Sequence, residues 1–343
     1  CLVGSEMCIR DSLKGDLCGA EYLHRPNMKL SLVLSAVVAA ACVVAKPVKH
    51  YPPENRKHVK AQSSHAQPEK MPGNLDTYSE LAAFAEQTYC KHSPVGMHLG
   101  TGKLLYRYGD GDKEQRIDFW HSKKSGIVVV WEGTNQESLM SIGHNVDFIL
   151  VDANRTLFQQ ADKGTKVFEG YQKAYAKTAS LVEHKVLEYQ HKFNESRVTI
   201  TGDSEGAGIA IMSIFHLDRV VKGGLHLVFM FGPPRVGNVE FANSVDRVFK
   251  DRYYYVANGD DIVVHVPPRE FGYQHPSGQV WVEPPNSTHY KYYPGQENVH
   301  GANSIWYRSF SIPNHTGVYF GTELGGSELG QCPAQINGKG PSS

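Results

Sequence analysis

Short runs of β-branched and aromatic residues alternate along this chain with longer stretches whose apolar positions recur at helical spacing. Gly126–Trp131 (GIVVVW), Arg197–Thr201 (RVTIT), Leu225–Phe231 (LHLVFMF) and Tyr253–Val256 have the length and composition of strands. Runs as apolar as GIVVVW predict burial on both sheet faces, as parallel strands require. Val167–Lys192, Ala207–Leu217 and Val239–Phe249 read as the intervening helices, and Leu104–Tyr108 and Arg116–His121 as earlier extended segments. In Leu75–Cys90, Leu81, Phe84, Ala85 and Tyr89 share one helical face, with Asp76 or Thr77 as N-cap. The alternation predicts an α/β fold: a central, mostly parallel sheet with helices on both faces, in one domain over residues 75–343.

The pattern changes upstream. Residues 46–74 are polar, with almost no aliphatic side chains, and read as a propeptide or disordered linker. Residues 28–45 carry Lys29, an apolar run over Leu30–Val44 and a small residue, Ala45. That is the pattern of a secretory signal peptide. A run of about 15 residues falls short of the roughly 20 that span a bilayer, so no stable membrane span is expected. Residues 1–27 precede that start and read as a non-native extension. The expected location is extracellular. Beyond Ala45 only Cys90 and Cys332 remain, which suggests one disulfide closing almost the whole domain. Sequons stand at Asn154, Asn194, Asn286 and Asn314.

Charge removes one class of function. With 35 basic and 35 acidic residues, there is no cationic surplus to neutralise nucleic-acid phosphates. Chemistry gathers instead at TGDSEGAG, Thr201–Gly208, where a strand runs straight into a helix through G-x-S-x-G. This places Ser204 on a sharp turn that needs small neighbours, here Gly202, Gly206, Ala207 and Gly208. An acyl-transfer serine needs a base, and the base an orienting acid. In the order serine, acid, histidine, Asp260 and Asp261 follow a strand, and His315 lies in a late loop. His265, His275, His289 and His300 stay open by order alone.

FGPPRVGN at Phe231–Asn238, GYQHPSGQVWV at Gly272–Val282, GQENVHGANS at Gly295–Ser304 and NHTGVYFG at Asn314–Gly321 are together similar to segments of the fungal class 3 lipases. These are secreted triacylglycerol lipases and feruloyl esterases with the α/β-hydrolase fold, and the resemblance covers nearly all of Leu75–Cys332. It implies that His315 is the base and Asp261, rather than Asp260, the acid. Trp131–Asn135 (WEGTN) resembles the family's oxyanion segment, so Thr134 and the backbone N–H of Glu205 would stabilise the oxyanion. The resemblance also implies a Cys90–Cys332 disulfide and a lid after Thr134. There Leu139, Met140, Ile142 and Val146 would form the apolar face of a short helix covering the serine. The implied reaction is carboxylic-ester hydrolysis at a lipid–water interface, with triacylglycerol as the leading substrate and feruloyl esters next. It needs neither cofactor nor metal ion.

The chain departs from the family around its serine. The family carries His before and Leu after; here stand Asp203 and Glu205. A full charge roughly 7 Å from a developing oxyanion opposes it by about 2.4 kcal/mol at an effective dielectric near 20. Activity therefore requires these acids to be neutral or paired, which favours an acid working pH. If neither holds, the chain would be a non-catalytic, lipid-binding relative. A glycan on Asn314 would stand over the base, so that sequon is expected to be unoccupied.

Overall fold

The computed structural model describes residues 63–134, 148–305, 309–325 and 332–336. Among these, ten strands form one sheet. In chain order they are β1 (Glu69–Lys70), β2 (His98–Leu99), β3 (Gly102–Tyr108), β4 (Ile117–Ser122), β5 (Gly126–Trp131), β8 (Val198–Asp203), β9 (Leu227–Phe231), β10 (Tyr253–Asn258), β11 (Gln279–Val282) and β12 (Tyr290–Tyr293). Across the sheet the order is β1-β12-β11-β10-β9-β8-β5-β4-β3-β2. The middle strands β11, β10, β9, β8 and β5 run parallel, and the flanks are antiparallel. A separate ribbon pairs β6 (Leu150–Asp152) with β7 (Lys166–Phe168).

The two-residue period of β5 explains the layering. Ile127, Val129 and Trp131 face a core shared with α2 (Glu169–Phe193), α3 (Ser204–Val220) and α4 (Val239–Phe249). Val128 and Val130 face the other way, against Leu81 and Phe84 of α1 (Leu75–Tyr89). On that side Phe84 stacks on Trp120 with ring centroids 4.5 Å apart. Each buried side chain of this kind contributes about 1.5–3 kcal/mol. The N-cap of α1 is Asn74, two residues before Asp76 and three before Thr77, the expected caps: its side chain accepts from the Asp76 N–H at 2.8 Å.

Order begins earlier than the polar composition suggested. Ser64 exchanges backbone hydrogen bonds with Gln296 and Val299, and β1 pairs with β12 at the sheet edge. Backbone pairing does not depend on apolar side chains, so hydropathy could not reveal it. Cys90 and Cys332 form a disulfide across 242 positions, with Cα atoms 5.6 Å apart. In the chain-entropy picture a closed loop of that size stabilises the fold by about 5 kcal/mol.

Candidate active site

Thr134, Ser204 and Asp261 follow the C-terminal ends of the parallel strands β5, β8 and β10. Ser204 follows β8 directly and opens α3, with φ of 53°, a left-handed conformation rare outside glycine. Its neighbours must be small for a visible reason. A Cβ on Gly206 would stand 2.3 Å from the Glu132 carbonyl oxygen, and one on Gly202 would stand 3.0 Å from the Trp131 oxygen. The elbow thus rests on the end of β5. Ser204 Oγ is buried and has no hydrogen-bond partner among the described residues.

Sheet register brings the next pieces alongside. Asp203 pairs with Phe231, and Phe231 with Val256. Gly232 continues β9 beside the elbow, with φ of 52°. A Cβ there would come within 2.9 Å of the His315 ring and 3.1 Å of the Asp261 carboxylate. His315 Nδ1 lies 2.9 Å from Asp261 Oδ2. Asp261 is fully buried; its other oxygen accepts from the Val263 N–H at 2.7 Å. Tyr319 donates its hydroxyl to the His315 carbonyl at 3.1 Å. Burial alone would lower the His315 pKa. The charge and hydrogen bond of Asp261, with a further contribution from Asp203, outweigh it and leave the ring more basic than usual.

The alternatives are engaged elsewhere. Asp260 accepts from the Asn314 side chain. His275 bonds the Val264 carbonyl at 2.9 Å, and burial pushes its pKa down to about 4. His265 stacks on Phe310, and burial lowers it to about 3. His289 and His300 are exposed. The loop carrying His315 is held from two sides. Asn258 donates to the Asn314 carbonyl at 2.9 Å and to Asn286 Oδ1 at 2.9 Å, and Asn286 Oδ1 also accepts from the Val318 N–H. Only the three-dimensional structure assigns Asn258 and Asn286 to this loop; they are far apart in sequence. Gly232 could have been suspected, since it sits in FGPPRVGN.

Both acids beside Ser204 are paired. Asp203 occupies the N-cap position of α3 without capping it. Instead its Oδ2 accepts from the Tyr89 hydroxyl at 2.5 Å. Burial raises the Asp203 pKa to about 6, with the Tyr89 bond and the charge of His315 pulling against that rise. Glu205 lies in the first turn of α3, where the helix dipole favours an acid, and its carboxylate accepts from the Thr134 hydroxyl. Glu132, between Arg116 and Asp203, is pushed up to about 8, chiefly by burial. The proposed lid residues Leu139, Met140, Ile142 and Val146 lie outside the described residues. Just past them, Phe148 lies near both Phe168 and Phe271, and Phe168 meets Tyr171 edge to face at 4.6 Å. Tyr171 in turn packs on Gly208 of α3. Ile149 and Phe271 remain close to half exposed. A path of contiguous apolar side chains therefore runs from Phe271 through Phe148 and Phe168 to Tyr171, against Gly208 of α3. Among the described residues no helix is long and apolar enough to cross a membrane.

Comparison with known proteins gives this geometry its context. Residues 128–271 match the family model described as lipase (class 3). The chain is 43% identical over 311 residues to the secreted mono- and diacylglycerol lipase LIP2 of Malassezia restricta, covering 90% of this chain and 98% of the relative. It is 42% identical over 313 residues to the secreted mono- and diacylglycerol lipase MDL5 of Malassezia globosa, covering 90% and 99%. Among solved structures, a Rhizomucor miehei lipase–propeptide complex superposes with a TM-score of 0.63 at 20% identity, over 84% of this chain and 94% of that one. A lipase from Rhizopus microsporus var. chinensis gives 0.63 at 22%, over 80% and 95%. These two likenesses speak for the α/β-hydrolase fold. With its strand-to-helix serine turn and its near-complete alignment to the Malassezia enzymes, the chain belongs to the class 3 lipases, enzymes that hydrolyse carboxylic esters.

Proposed function

We propose that the chain is an extracellular lipase that cleaves mono- and diacylglycerols through Ser204, His315 and Asp261. The observation that carries this reading is the 2.9 Å His315–Asp261 pair packed under Gly232, next in register to the strained Ser204. Ser204 Oγ attacks the ester carbonyl while His315 Nε2 takes its proton. Asp261 holds Nδ1 and stabilises the imidazolium. The tetrahedral oxygen is met by the backbone N–H groups of Thr134 and Glu205. His315 then gives the proton to the leaving glycerol oxygen, and the acyl group stays on Ser204. A water, deprotonated by the same imidazole, attacks the acyl-enzyme and releases the fatty acid and free serine.

The substrate class follows the names of the Malassezia relatives. Phe148, Ile149, Phe168 and Phe271 support an acyl chain entering along the apolar path, with contact to a lipid–water interface at its outer end. Residues 28–45 would direct export. Asn314, partly buried with its amide given to Asp260, would carry no glycan.

The test measures initial rates on emulsified mono-, di- and triolein and on methyl ferulate, for wild type and Ser204→Ala. A fluorophosphonate probe reads nucleophile labelling in parallel. Expected are preference for mono- and diolein, labelling of Ser204, and a loss of about 10⁴-fold or more in the variant. Preference for triolein or methyl ferulate would move the substrate assignment. A folded wild type that neither turns over nor labels would make the chain a non-catalytic relative.

A further inference from the structure

The Thr134–Glu205 contact joins two residues 71 positions apart, and they are the two whose backbone N–H groups are assigned to the oxyanion. We propose that Glu205 is a positioning residue whose carboxylate ties Thr134 to the first turn of α3 and so fixes the spacing of the two oxyanion donors. This inference rests on the catalytic reading of Ser204, His315 and Asp261.

The need for a tie follows from where sheet pairing stops. The β5–β8 ladder ends at Trp131 opposite Gly202. On the other side, the Glu132 N–H donates to the Arg116 carbonyl at 3.1 Å. The backbone contact of Gly206 with Glu132 fixes how close the elbow lies to that strand end. Gly133 is held next, its N–H donating to the Asp203 carboxylate; Thr134 lies one residue beyond that last backbone restraint. Glu205 Oε2 catches its hydroxyl from α3 itself, the element that carries the other donor. Any displacement of Thr134 then moves with the helix turn rather than independently of it. An oxyanion hole works because its donors are fixed before the charge develops.

Two effects of opposite sign meet at this carboxylate. Its charge opposes the oxyanion, a cost of up to roughly fiftyfold in rate at about 7 Å. Loss of an oxyanion donor costs roughly 10²- to 10³-fold. The tie therefore outweighs the charge if releasing Thr134 weakens its donor substantially. Replacement by the apolar residue that the family carries should then harm the enzyme, although it removes the offending charge.

The experiment measures kcat and KM on p-nitrophenyl esters at pH 7 for Glu205→Leu, Glu205→Gln, Thr134→Val and the Thr134→Val/Glu205→Leu double variant. Thermal midpoints and fluorophosphonate labelling are read alongside. Expected is a fall in kcat of about tenfold or more for Glu205→Leu, with KM nearly unchanged. Glu205→Gln keeps an acceptor at the same reach without the charge, so it should match or exceed wild type. The double variant should be no slower than Thr134→Val alone, because both break one bond. Equal or higher kcat for Glu205→Leu, or additive losses in the double variant, would overturn the proposal and leave Glu205 as a charge load. If Glu205→Leu lowers the thermal midpoint, Thr134→Val decides: an unchanged kcat there also overturns it. Failure of wild type to label at Ser204 would instead sink the catalytic reading on which the tie depends.

Discussion

Around Arg235 and around Arg116 the chain buries carboxylates and guanidinium groups in different proportions. In the first region one acid meets one base. Arg235 Nε lies 2.7 Å from Glu297 Oε1, and Nη2 lies 2.9 Å from Oε2. The same carboxylate accepts from the His275 N–H at 2.7 Å and from Asn303 at 2.8 Å. Burial would raise the Glu297 pKa, but Arg235 holds it far below the usual carboxylate range. In the second region Asp118, Glu132 and Asp203 share Arg107 and Arg116. Asp118 takes Arg107 for itself with bonds of 2.7 and 2.5 Å. Glu132 is left with Arg116 Nε at 3.7 Å, outside hydrogen-bond range, and Asp203 with the neutral Tyr89. Here burial wins, and Glu132 and Asp203 rise to about 8 and about 6. Both regions use the same residue types. What differs is the ratio of acids to cations, three to two here against one to one, so that burial raises even Asp118 beside Arg107, and the deficit lies directly beneath the elbow.

The sharpest way to break this contrast is Glu297→Ala. It strands Arg235 in a dry site and removes the acceptor for His275 and Asn303. Destabilisation of about 3–5 kcal/mol is expected, read as a lower urea midpoint with unchanged slope. Because the folded pKa of Glu297 is depressed, its stabilisation is present above the unfolded value of 4.5 and disappears only in strong acid. The penalty should thus be equal at pH 5 and pH 8. A loss below about 1 kcal/mol would place the pair with ordinary surface salt bridges.

Glu132→Gln probes the other region and should carry the opposite pH signature. The folded pKa of Glu132, about 8, exceeds its unfolded value of 4.5. Between those values the folded state keeps a proton that the unfolded state has released, so wild-type stability falls as pH rises. Gln cannot titrate, and Arg116 retains bonds to the Thr88 and Cys90 carbonyls. The variant should therefore match wild type near pH 4.5 and exceed it by about 2–4 kcal/mol at pH 8. Parallel stability curves from pH 4.5 to 8.5 would show that Glu132 holds no proton there.

These two regions also differ in how far the sequence reveals them. FGPPRVGN and GQENVHG stand out as family segments, and the structure shows a physical reason: they bring Arg235 and Glu297 together. The strand–serine–helix turn and the parallel strands were equally plain, because periodicity and small residues encode them locally. Asp203 was visible as an oddity, but its partner was not. Tyr89 looks like one more apolar position on the buried face of α1, and nothing in its neighbourhood links it to a residue 114 positions away. The docking of Ser63–Lys70 was hidden for a related reason, since it depends on backbone hydrogen bonds that no composition reports.

The smallest effect is expected for Tyr89→Phe, and it bears most directly on the elbow. The phenol fills its site with the same ring, and only the hydroxyl bonded to Asp203 is lost. That bond favours the ionised carboxylate, so its removal should drive the Asp203 pKa further above about 6. The sign is that of Glu132: a raised acid lowers stability as pH increases through the folded value. The variant should lose about 1–2 kcal/mol relative to wild type at pH 8 and less at pH 5, where Asp203 is already largely protonated. Asp203 also contributes to the raised pKa of His315, so a more neutral Asp203 makes the imidazole a weaker base. The acidic limb of kcat/KM, where His315 must lose its proton to serve as base, should then move to lower pH. Equal destabilisation at both pH values with an unmoved limb would reduce Tyr89 to a space-filling ring. A shifted limb would mean that the acid before Ser204 acts on the base through its charge, and that α1 helps to set that charge from the far side of the sheet.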